Sequence, residues 1–437
     1  MHRLLIVSPH FPPVNAPDEQ RVRMALPYLR EFGWEAVVLT VKPEFVEGAT
    51  LDGLLDHTVP DEVPVVRTAA IPANITRRLG AGNLAVRALP YLNKTGSRLL
   101  RHEHFDLVFF STTQFAAMIL GPIWKKKFRV PYMVDFQDPW LDDYYKRTST
   151  PPPGGKLKYG FSRLVARQLE PRVMKQVSHV ISVSPAYVQT LQKRYPYLEA
   201  EDFTVLSFGI PERDFELLDS LSVEQTIFDK RDRFQHWVYV GRGGKDMAAA
   251  LRLLFSSMAG LRKEQAEWNN MRFHFVGTSY APAGRAEETV KPIAKEFGVE
   301  DLVEEQTARV PYFESLKLLK EADALLVFGS DSPGYNPSKT ATVAFAGKPV
   351  LAILHQGSPA AELLRRCNAA EIVEFDVSRA VSESETKTAR ALQRVFGMVE
   401  QRPSPGLSEQ ELAKQTAREM TRTLCAAFDK ALKNTIT

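Results

Sequence analysis

Cysteine is scarce in this chain: Cys367 and Cys425 are the only two among 437 residues, and they stand far apart without a CxxC pattern. A disulfide scaffold and a zinc site are therefore not expected, and two isolated thiols fit a reducing cytoplasm. Long hydrophobic runs are missing as well. No stretch reaches the roughly 18 uncharged apolar residues of a membrane-spanning helix, so any membrane contact should be peripheral, at the inner face.

A strong excess of one charge is also absent. The formal net charge is +4, with 25% charged and 44% apolar residues, which is ordinary for a soluble globular protein. Nucleic acid is not an expected partner, because no long stripe of Lys and Arg interleaved with aromatic residues is present. Basic residues do gather at 74–104 and 125–129. They fit either a solvated helix face or a surface that docks on an anionic membrane.

What the chain does have is a repeated alternation of apolar and helical segments. The apolar segments include RLLIVSPHF, EAVVLTV, FDLVFFST and VPYMVDF in the first half, and HWVYVGRGG, RFHFVGTS, ALLVFGS and KPVLAIL in the second. Helices are predicted between them, for example at 17–32 and 338–346. Near-continuous apolar runs of this kind are typical of buried parallel strands with helices on both faces of the sheet.

The predicted fold class is therefore α/β, with two doubly wound parallel-sheet (Rossmann-like) domains that face each other across a cleft. We place the N-terminal domain at 1–206 and the C-terminal domain at 207–406. A last helix at about 407–437, capped by Ser408, should pack back on the first domain. In open α/β sheets ligands bind beyond the carboxyl ends of the strands, so polar loops that follow strands are the candidate sites.

The first such loop in the second half is VGRGGKDM, at 240–247. Gly243 and Gly244 allow backbone amides to approach a ligand closely, and Arg242 and Lys245 add positive charge, which together indicate an anion site. The spacing matches neither a nucleotide P-loop nor a dinucleotide fingerprint. A plain turn between a strand and a helix explains the loop equally well.

The second such loop is GYNPSKTATVAFAGKPVLAI, at 334–353. Asn336 is a predicted helix cap and Pro337 the first helical residue, which leaves Ser338, Lys339 and Thr340 in the first turn. Helix N-termini usually carry acids, because the helix dipole leaves positive charge there. A first turn without an acid leaves room for an external anion such as phosphate, although an ordinary helix start with a solvated lysine is the simpler alternative.

In the first half, the loop SPHFPPVNAP at 8–17 places His10 and Asn15 where they could meet a polar ligand. Asn15 is also a predicted cap of the helix that follows. Asp18 stands three residues later, in a capping-box-like arrangement, so that this N-terminus is already neutralised.

The other polar cluster of the first half is VDFQDPW, at 134–140. Asp135 and Asp138 follow an apolar strand and could bind hydroxyl groups or act as a base. Trp140 offers an aromatic face to a sugar or lipid. A metal site is not expected, since no histidine or further acid stands nearby in the sequence. Asp138 alternatively caps the turn before Pro139.

Taken together, these segments resemble the GT-B glycosyltransferases of family 4, which are retaining enzymes that use nucleotide sugars. The resemblance rests on SPHFPP, DFQDPW, VGR, VPYFESLKLLKEADALLVFGS (310–330) and PSKTATVAFAGKPVLAI. It implies that the second domain holds the donor diphosphate and the first holds the acceptor, with no metal or other cofactor required. Carried over by position, the residues at the diphosphate and donor sugar are Arg242, Lys245, Ser338, Lys339 and Thr340. Gly209 matches a family turn, and Arg309, Val310 and Tyr312 fall on the loop that usually flanks the nucleotide base.

Two positions depart from the family pattern. The family often carries two glutamates eight residues apart, and here those positions are Gly334 and Thr342. The glutamate that would bind the ribose hydroxyls is thus replaced by Thr342, which leaves the choice of donor open. A family histidine after a first-domain strand is also replaced, and Asp135 is the candidate substitute.

The resemblance therefore implies a glycosyltransferase of the hexosyltransferase type that uses a UDP-, GDP- or dTDP-sugar. The acceptor would be a glycan, a lipid-linked sugar or a small molecule, in cell-envelope or natural-product glycoside synthesis. In a retaining transfer the departing diphosphate deprotonates the acceptor, while Arg242, Lys245 and Lys339 stabilise the leaving charge and Asp135 orients the sugar. The alternatives are a sugar-nucleotide epimerase on the same fold and a degenerate, non-catalytic binding subunit.

Overall fold

The computed structural model describes residues 1–76, 82–141, 155–279, 286–332, 335, 337–376, 381–401 and 406–436. The chain divides into two compact units. The first unit contains Met1–Gly209 and Ala417–Thr437, and the second unit contains Ile210–Thr416. The chain thus leaves the first unit at Gly209, where the sequence placed the boundary at 206, and it returns to that unit at Ala417 instead of about 407.

Seven parallel strands form the sheet of the first unit, in the order β3-β2-β1-β4-β5-β6-β7. Strands β4 and β5 are buried along their whole length, which explains their unbroken apolar sequences. The strands are β1 His2–Val7, β2 Trp34–Val41, β3 Val65–Thr68, β4 Leu107–Ser111, β5 Tyr132–Phe136, β6 His179–Ser182 and β7 Phe203–Val205.

Helices cover both faces of this sheet. They are α1 Gln20–Ala25, α2 Ala73–Thr76, α3 Leu84–His102, α4 Leu120–Phe128, α5 Gly155–Met174, α6 Pro185–Arg194 and, from the end of the chain, α15 Ala417–Ile436. On one face Leu5 and Val7 pack with α3 and α4, and on the other Leu4 and Ile6 pack with α1 and α15. The Phe428 ring of α15 meets the Trp34 ring at 5.2 Å and the Phe109 ring at 5.1 Å.

The second unit has six parallel strands in the order β10-β9-β8-β11-β12-β13. They are β8 Gln235–Val240, β9 Met271–Val276, β10 Val303–Gln306, β11 Ala324–Phe328, β12 Val350–His355 and β13 Glu371–Phe375. Its helices are α7 Glu212–Ser220, α8 Ala248–Glu264, α9 Lys291–Glu296, α10 Tyr312–Glu321, α11 Thr340–Phe345, α12 Pro359–Arg366, α13 Val381–Gln401 and α14 Glu409–Ala413. Its core joins the inner side chains of β8 and β9 to α8 and α13.

Short 3₁₀ helices link several of these elements. They lie at Pro17–Glu19, Leu26–Phe32, Pro43–Phe45, Gly53–Thr58, Phe115–Ile119, Ala200–Asp202, Lys245–Met247, Ala266–Asn270 and Glu300–Leu302. The predicted α/β class with two parallel sheets is confirmed, since both sheets pair only in parallel within the described residues.

Three predicted helices differ in detail. The helix at 17–32 forms as two 3₁₀ segments on either side of α1. The helix at about 407–437 is two helices, α14 and α15, and the predicted cap is confirmed because Ser408 Oγ accepts from Glu411 N. The helix at 338–346 begins only at Thr340, with Lys339 in the cap position.

The late start of α11 has a local cause. Thr340 bonds backward to Pro337 O through its amide at 3.1 Å and through its hydroxyl at 2.7 Å. The residues that were expected in the first helical turn therefore form this tight turn instead. The first α-helical hydrogen bond runs from Val343 N to Lys339 O at 2.8 Å. The predicted cap Asn336, like Gly334, lies outside the described residues.

Candidate functional site

The polar loops of the first unit gather at one edge of its sheet. Strands β1, β4 and β5 are neighbours, so the residues after their carboxyl ends lie side by side. These residues are Ser8–His10 after β1, Thr112–Gln114 after β4 and Gln137–Trp140 after β5. The topology thus brings together segments that are far apart in the sequence, at the edge where ligands bind in sheets of this kind.

Asp18 joins two of these loops. Its Oδ2 accepts hydrogen bonds from Thr112 Oγ1 at 2.8 Å, Thr113 N at 2.9 Å and Thr113 Oγ1 at 3.1 Å. Its Oδ1 lies 2.8 Å from His10 Nδ1. Burial works to raise the pKa of Asp18, but the bond and charge of His10 and the bonds from both threonines outweigh it, and the pKa falls below its ordinary value.

The capping roles predicted for this segment are wrong. The first helical turn is preceded by Ala16, and no side chain caps it. Asn15 instead donates its backbone N–H to Thr50 O at 2.9 Å. Asp18 turns away from the helix start because two threonines and a histidine, none of them a helix neighbour, satisfy its carboxylate.

Asp135 does not lie where a donor sugar could touch it. The side chain is fully buried, and its Oδ2 accepts from Arg21 Nε at 2.7 Å, Ser111 Oγ at 2.8 Å and Gln137 Nε2 at 3.0 Å. Arg21 is equally buried and also donates to Leu206 O at 2.7 Å. In this structure the carboxylate neutralises a buried arginine at the edge of the sheet, and the catalytic role expected of Asp135 stays a prediction.

Asp138 and Trp140 remain nearer the surface. Asp138 is exposed. Partial desolvation of its carboxyl group is the larger cause that raises its pKa to about 6, and repulsion from the Asp18 charge is the smaller one. The Trp140 ring stacks on Phe115 at 5.5 Å, and Phe115 stacks in turn on Phe136 at 6.1 Å. His10, Asp138 and Trp140, all predicted to bind the acceptor, thus occupy one edge of the first unit.

In the second unit, the loop after β8 runs along the end of β9. Gly241 N donates to Val276 O at 3.0 Å and Gly243 N donates to Thr278 O at 2.7 Å. A Cβ atom on Gly243 would collide with the Thr289 hydroxyl, so only glycine fits this close approach. In this structure the Gly243 amide is therefore bonded to Thr278, and the anion site expected at this loop stays a prediction.

The Arg242 side chain is paired within the same loop. Its Nη1 lies 3.0 Å from Asp246 Oδ1 and its Nη2 lies 2.7 Å from Asp246 Oδ2, while Tyr335 lies 4.7 Å from Cζ. The hydrogen bond to Asp246 raises the pKa of Arg242. A Cβ atom on Gly244 would press on this ion pair. The charge expected to be open to a diphosphate is therefore already balanced by Asp246.

Lys339 is different. The side chain is half-buried, and its Nζ has no hydrogen-bond or ion-pair partner in the part of the chain that the structure describes. Burial, followed by repulsion from Arg309, lowers the pKa of Lys339 to about 8. Lys245, after β8, is exposed. Lys245 follows β8, Arg309 follows β10 and Lys339 follows β11, so all three cations lie at the carboxyl edge of this sheet.

The remaining predicted donor residues are spread more widely. Ser338 is exposed, whereas Thr340 and Thr342 are buried in α11. Val310 is buried, and Tyr312 Oη donates to Asp214 Oδ2 at 2.5 Å. Gly209 belongs to the first unit, where its N–H points at Met420 Sδ at 3.3 Å.

The sequence reading missed Asp246, Tyr335, Thr112 and Thr113. Asp246 was detectable, since an acid four residues after an arginine is a common pair spacing. The threonines were not, because 94 and 95 residues separate them from Asp18. Among the described residues, no three acidic, histidine or cysteine side chains are grouped so that they could hold a metal ion.

Similarities to known proteins extend over the whole chain. Residues 19–209 match the family model of the glycosyl transferase 4-like domain. No curated protein sequence matches the chain significantly. Among solved structures, the N-terminal domain of trehalose-6-phosphate phosphatase from Candida albicans has a TM-score of 0.62 at 12% identity, covering 98% of this chain and 97% of its own.

Two further solved structures share the fold. The UDP-forming α,α-trehalose-phosphate synthase from Burkholderia xenovorans has a TM-score of 0.58 at 13% identity and covers 100% of both chains. HepE from Anabaena, solved in complex with UDP, has a TM-score of 0.50 at 17% identity and covers 99% of this chain and 98% of its own. Identities this low establish the fold alone. With its matched domain and its two parallel sheets, the chain carries a glycosyl transferase 4-like domain and has the GT-B fold of glycosyltransferases.

Proposed function

We propose that this protein transfers a sugar, most simply a hexose, from a nucleoside diphosphate sugar to a hydroxyl-bearing acceptor. The observation that carries the proposal is Lys339. The half-buried Lys339 ammonium lies beside the Arg309 charge, and both its partial burial and that repulsion would be relieved by an anion. It lies at the ligand edge of the second unit, where a diphosphate would meet it together with Lys245 and Arg309.

The donor is best sought first among UDP-sugars, because one structural neighbour was solved in complex with UDP and another is a UDP-forming synthase. GDP- and dTDP-sugars remain in the proposal, since Thr342 stands where the ribose-binding glutamate was expected. Ser338 and Gly244 complete the proposed donor set on the same unit. The acceptor, a glycan, a lipid-linked sugar or a small molecule, is assigned to the edge with His10, Asn15, Asp138 and Trp140.

The protein contributes to the reaction mainly through charge. As the bond from the anomeric carbon to the diphosphate breaks, negative charge grows on the leaving oxygen, and Lys339 stabilises it. Arg242 can also stabilise the leaving group, but only if its hydrogen bonds to Asp246 are replaced by bonds to phosphate. The stereochemical course depends on which group takes the acceptor's proton. If the departing diphosphate takes it, as the resemblance implies, the sugar retains its anomeric configuration.

A nucleotide screen tests the proposal. We expect UDP, GDP, dTDP or ADP to raise the melting temperature of the full-length protein, and uridine or the matching nucleoside to do so far less. Lys339→Met should abolish the difference between diphosphate and nucleoside, whereas the exposed Lys263→Met should not. If none of the four diphosphates stabilises the protein, the proposal fails. If a diphosphate binds but no sugar is released from the matching sugar nucleotide, the protein is a binding subunit without transferase activity.

A second part of the proposal concerns where the protein works: in the cytoplasm, against the inner face of a membrane. In the described residues no helix has both the length and the apolar character for a span. Helices α3 and α4 contain no acid, and Gly96 of α3 packs against Trp124 of α4. They present the exposed cations Lys94, Arg98, Arg101, Lys126 and Lys127 beside the exposed apolar side chains Val86, Tyr91 and Ile123.

Each cation near an anionic lipid surface is worth about 1 kcal/mol, or roughly fivefold in affinity. We therefore expect co-sedimentation with vesicles that contain phosphatidylserine at low salt, and its loss at high salt. Lys126→Glu with Lys127→Glu should weaken binding strongly, and Lys193→Glu on α6 serves as the matched control. Failure to bind such vesicles at low salt would remove the membrane from the proposal and leave the transferase activity standing.

A further inference from the structure

Glu305, the third residue of β10, carries a half-buried carboxylate that binds four donors within the second unit. Its Oε1 accepts hydrogen bonds from Thr278 Oγ1 at 2.7 Å and from Thr289 N at 2.9 Å. Its Oε2 accepts from Val290 N and Lys291 N, each at 2.9 Å. An ionised carboxylate offers about four acceptor places on its two oxygens, so these bonds use the whole group.

The four bonds fasten the segments that follow β9 to the end of β10. Thr278 stands two residues after β9, and residues 289–291 lead into α9. The backbone adds a bond from Gly277 N to Gln306 O at 2.8 Å. Hydrogen bonds to a charged acceptor are roughly twice as strong as neutral ones, so Glu305 holds these segments more firmly than a neutral side chain would.

The loop that carries Arg242 lies directly on two of the residues that Glu305 holds. Gly243 N donates to Thr278 O at 2.7 Å. A Cβ atom on Gly243 would collide with the Thr289 hydroxyl and would lie 3.1 Å from the Cβ atom of Thr278. Because the packing leaves no room for a methyl group, the position of Gly243 follows the positions of both threonines. A displacement of either threonine is therefore passed on to Gly243 and to Arg242, which precedes it.

We propose that Glu305 is a positioning residue of the donor site and that it acts on the diphosphate through Arg242. The carboxylate holds Thr278 and Thr289, both threonines hold Gly243, and Gly243 fixes the backbone from which Arg242 extends. Glu305 makes no bond to the donor itself, since its acceptor places are filled. The inference rests on the proposed function and concerns the second unit alone.

A purely structural role for Glu305 is the competing explanation, because an acid with four partners also stabilises the fold. Glu305→Gln distinguishes the two. The amide keeps one acceptor oxygen and turns an NH₂ group toward backbone N–H donors, so at least one amide among residues 289–291 loses its acceptor. Hydrogen–deuterium exchange of the full-length protein should become faster at 289–291 and at Gly243. Unchanged exchange at Gly243 would overturn the inference, because the displacement would not reach the Arg242 loop.

Asp323→Asn is the matched control. Asp323 is also a half-buried acid that accepts a backbone bond, from His236 N at 2.8 Å, but it stands before β11, at the opposite edge of the same sheet. Both substitutions should lower the melting temperature. Only Glu305→Gln should change the exchange of Gly243 and the affinity for the diphosphate.

The binding measurement is a double-mutant cycle of Glu305→Gln and Arg242→Gln. It is read by calorimetry as the Kd of UDP, or of the diphosphate that the nucleotide screen selects. Glu305→Gln should raise the Kd about tenfold when Arg242 is present, and less than about twofold in the Arg242→Gln background. Thr278→Val removes a single hydroxyl, should raise the Kd about threefold, and takes the place of Glu305→Gln in the cycle if that variant does not fold.

The outcomes separate the two proposals. If Glu305→Gln raises the Kd by the same factor with and without the Arg242 side chain, or by less than about twofold in both, the positioning role is overturned while the transferase proposal stands. If the unsubstituted protein binds no diphosphate, the proposed function fails and the positioning role fails with it. The exchange measurement does not depend on that result, because it needs no ligand.

Discussion

Asp246 holds Arg242 by two hydrogen bonds, with Nη1–Oδ1 at 3.0 Å and Nη2–Oδ2 at 2.7 Å, at the edge proposed for the diphosphate. The carboxylate therefore stands where a phosphate would have to bind the guanidinium. Both side chains are partly exposed, so solvent weakens the pair and exchange is feasible.

Asp246→Asn should consequently tighten the binding of UDP, or of the diphosphate that binds best, by about three- to tenfold, because a competing negative charge is removed. Isothermal titration calorimetry measures the change. Glu296→Gln is the matched control, since Glu296 makes a similar pair with Arg252, at 3.1 and 3.0 Å, on the surface of the same unit. Weaker binding after Asp246→Asn would show that Asp246 orients Arg242 for the ligand.

The pH dependence of binding should report Lys339. Its pKa of about 8 means that the side chain is cationic below pH 8 and loses its proton above it. Affinity for the diphosphate should be level from about pH 6.5 to 7.5 and fall up to tenfold per pH unit above about 8. Lys339→Met should show weak binding without this slope. A slope that persists in the variant would assign it to another group.

The same lysine should reduce the stability of the unliganded protein. Its folded pKa, about 8, lies below the roughly 10.4 of an unfolded lysine, so protonation at neutral pH opposes folding. This cost is fully present below pH 8 and disappears as the pH rises toward the unfolded value. Lys339→Met should therefore raise the melting temperature at pH 7, by the equivalent of about 1–3 kcal/mol, and have little effect near pH 10. A lower melting temperature at pH 7 would contradict the burial of an unpaired charge.

Asp135 gives a test that separates structure from catalysis. Asp135→Asn leaves the buried Arg21 without its counter-charge, and breaking such a pair costs about 3–5 kcal/mol. We expect a much lower melting temperature, while the protein that remains folded still binds diphosphate on the other unit. Exposed Asp56→Asn is the control. Full stability combined with lost sugar release would restore the catalytic role that the sequence assigned to Asp135.

The strands were the most predictable part of the structure, because runs such as LVFFS and YMVDF contain little besides buried apolar residues. The helix at 338–346 was misjudged at its start, since the bonds from Thr340 to Pro337 O form a turn that cap preferences do not reveal. Lys339 stood out in the sequence as a lysine in a first helical turn without acids, but its lowered pKa depends on burial and on Arg309, which only the fold supplies.

The roles of acids were the least predictable. Asp18 follows the pattern of a helix-capping acid and Asp135 that of an acid at the end of a strand, yet their partners come from residues about a hundred positions away, Thr112 for Asp18 and Arg21 for Asp135. A pairing of this kind leaves no periodic signal in the sequence. Asp246 is the exception, because its partner Arg242 is close enough along the chain to be recognised.

The return of α15 to the first unit affects how the protein is made. Phe428 packs on Trp34 and Phe109, so the part of the first sheet that α15 covers stays open until α15 has left the ribosome. Ile210–Thr416 must be synthesised in between, which takes roughly 10–40 s at 5–20 residues per second. During that interval the nascent first unit exposes the apolar side chains that α15 later covers.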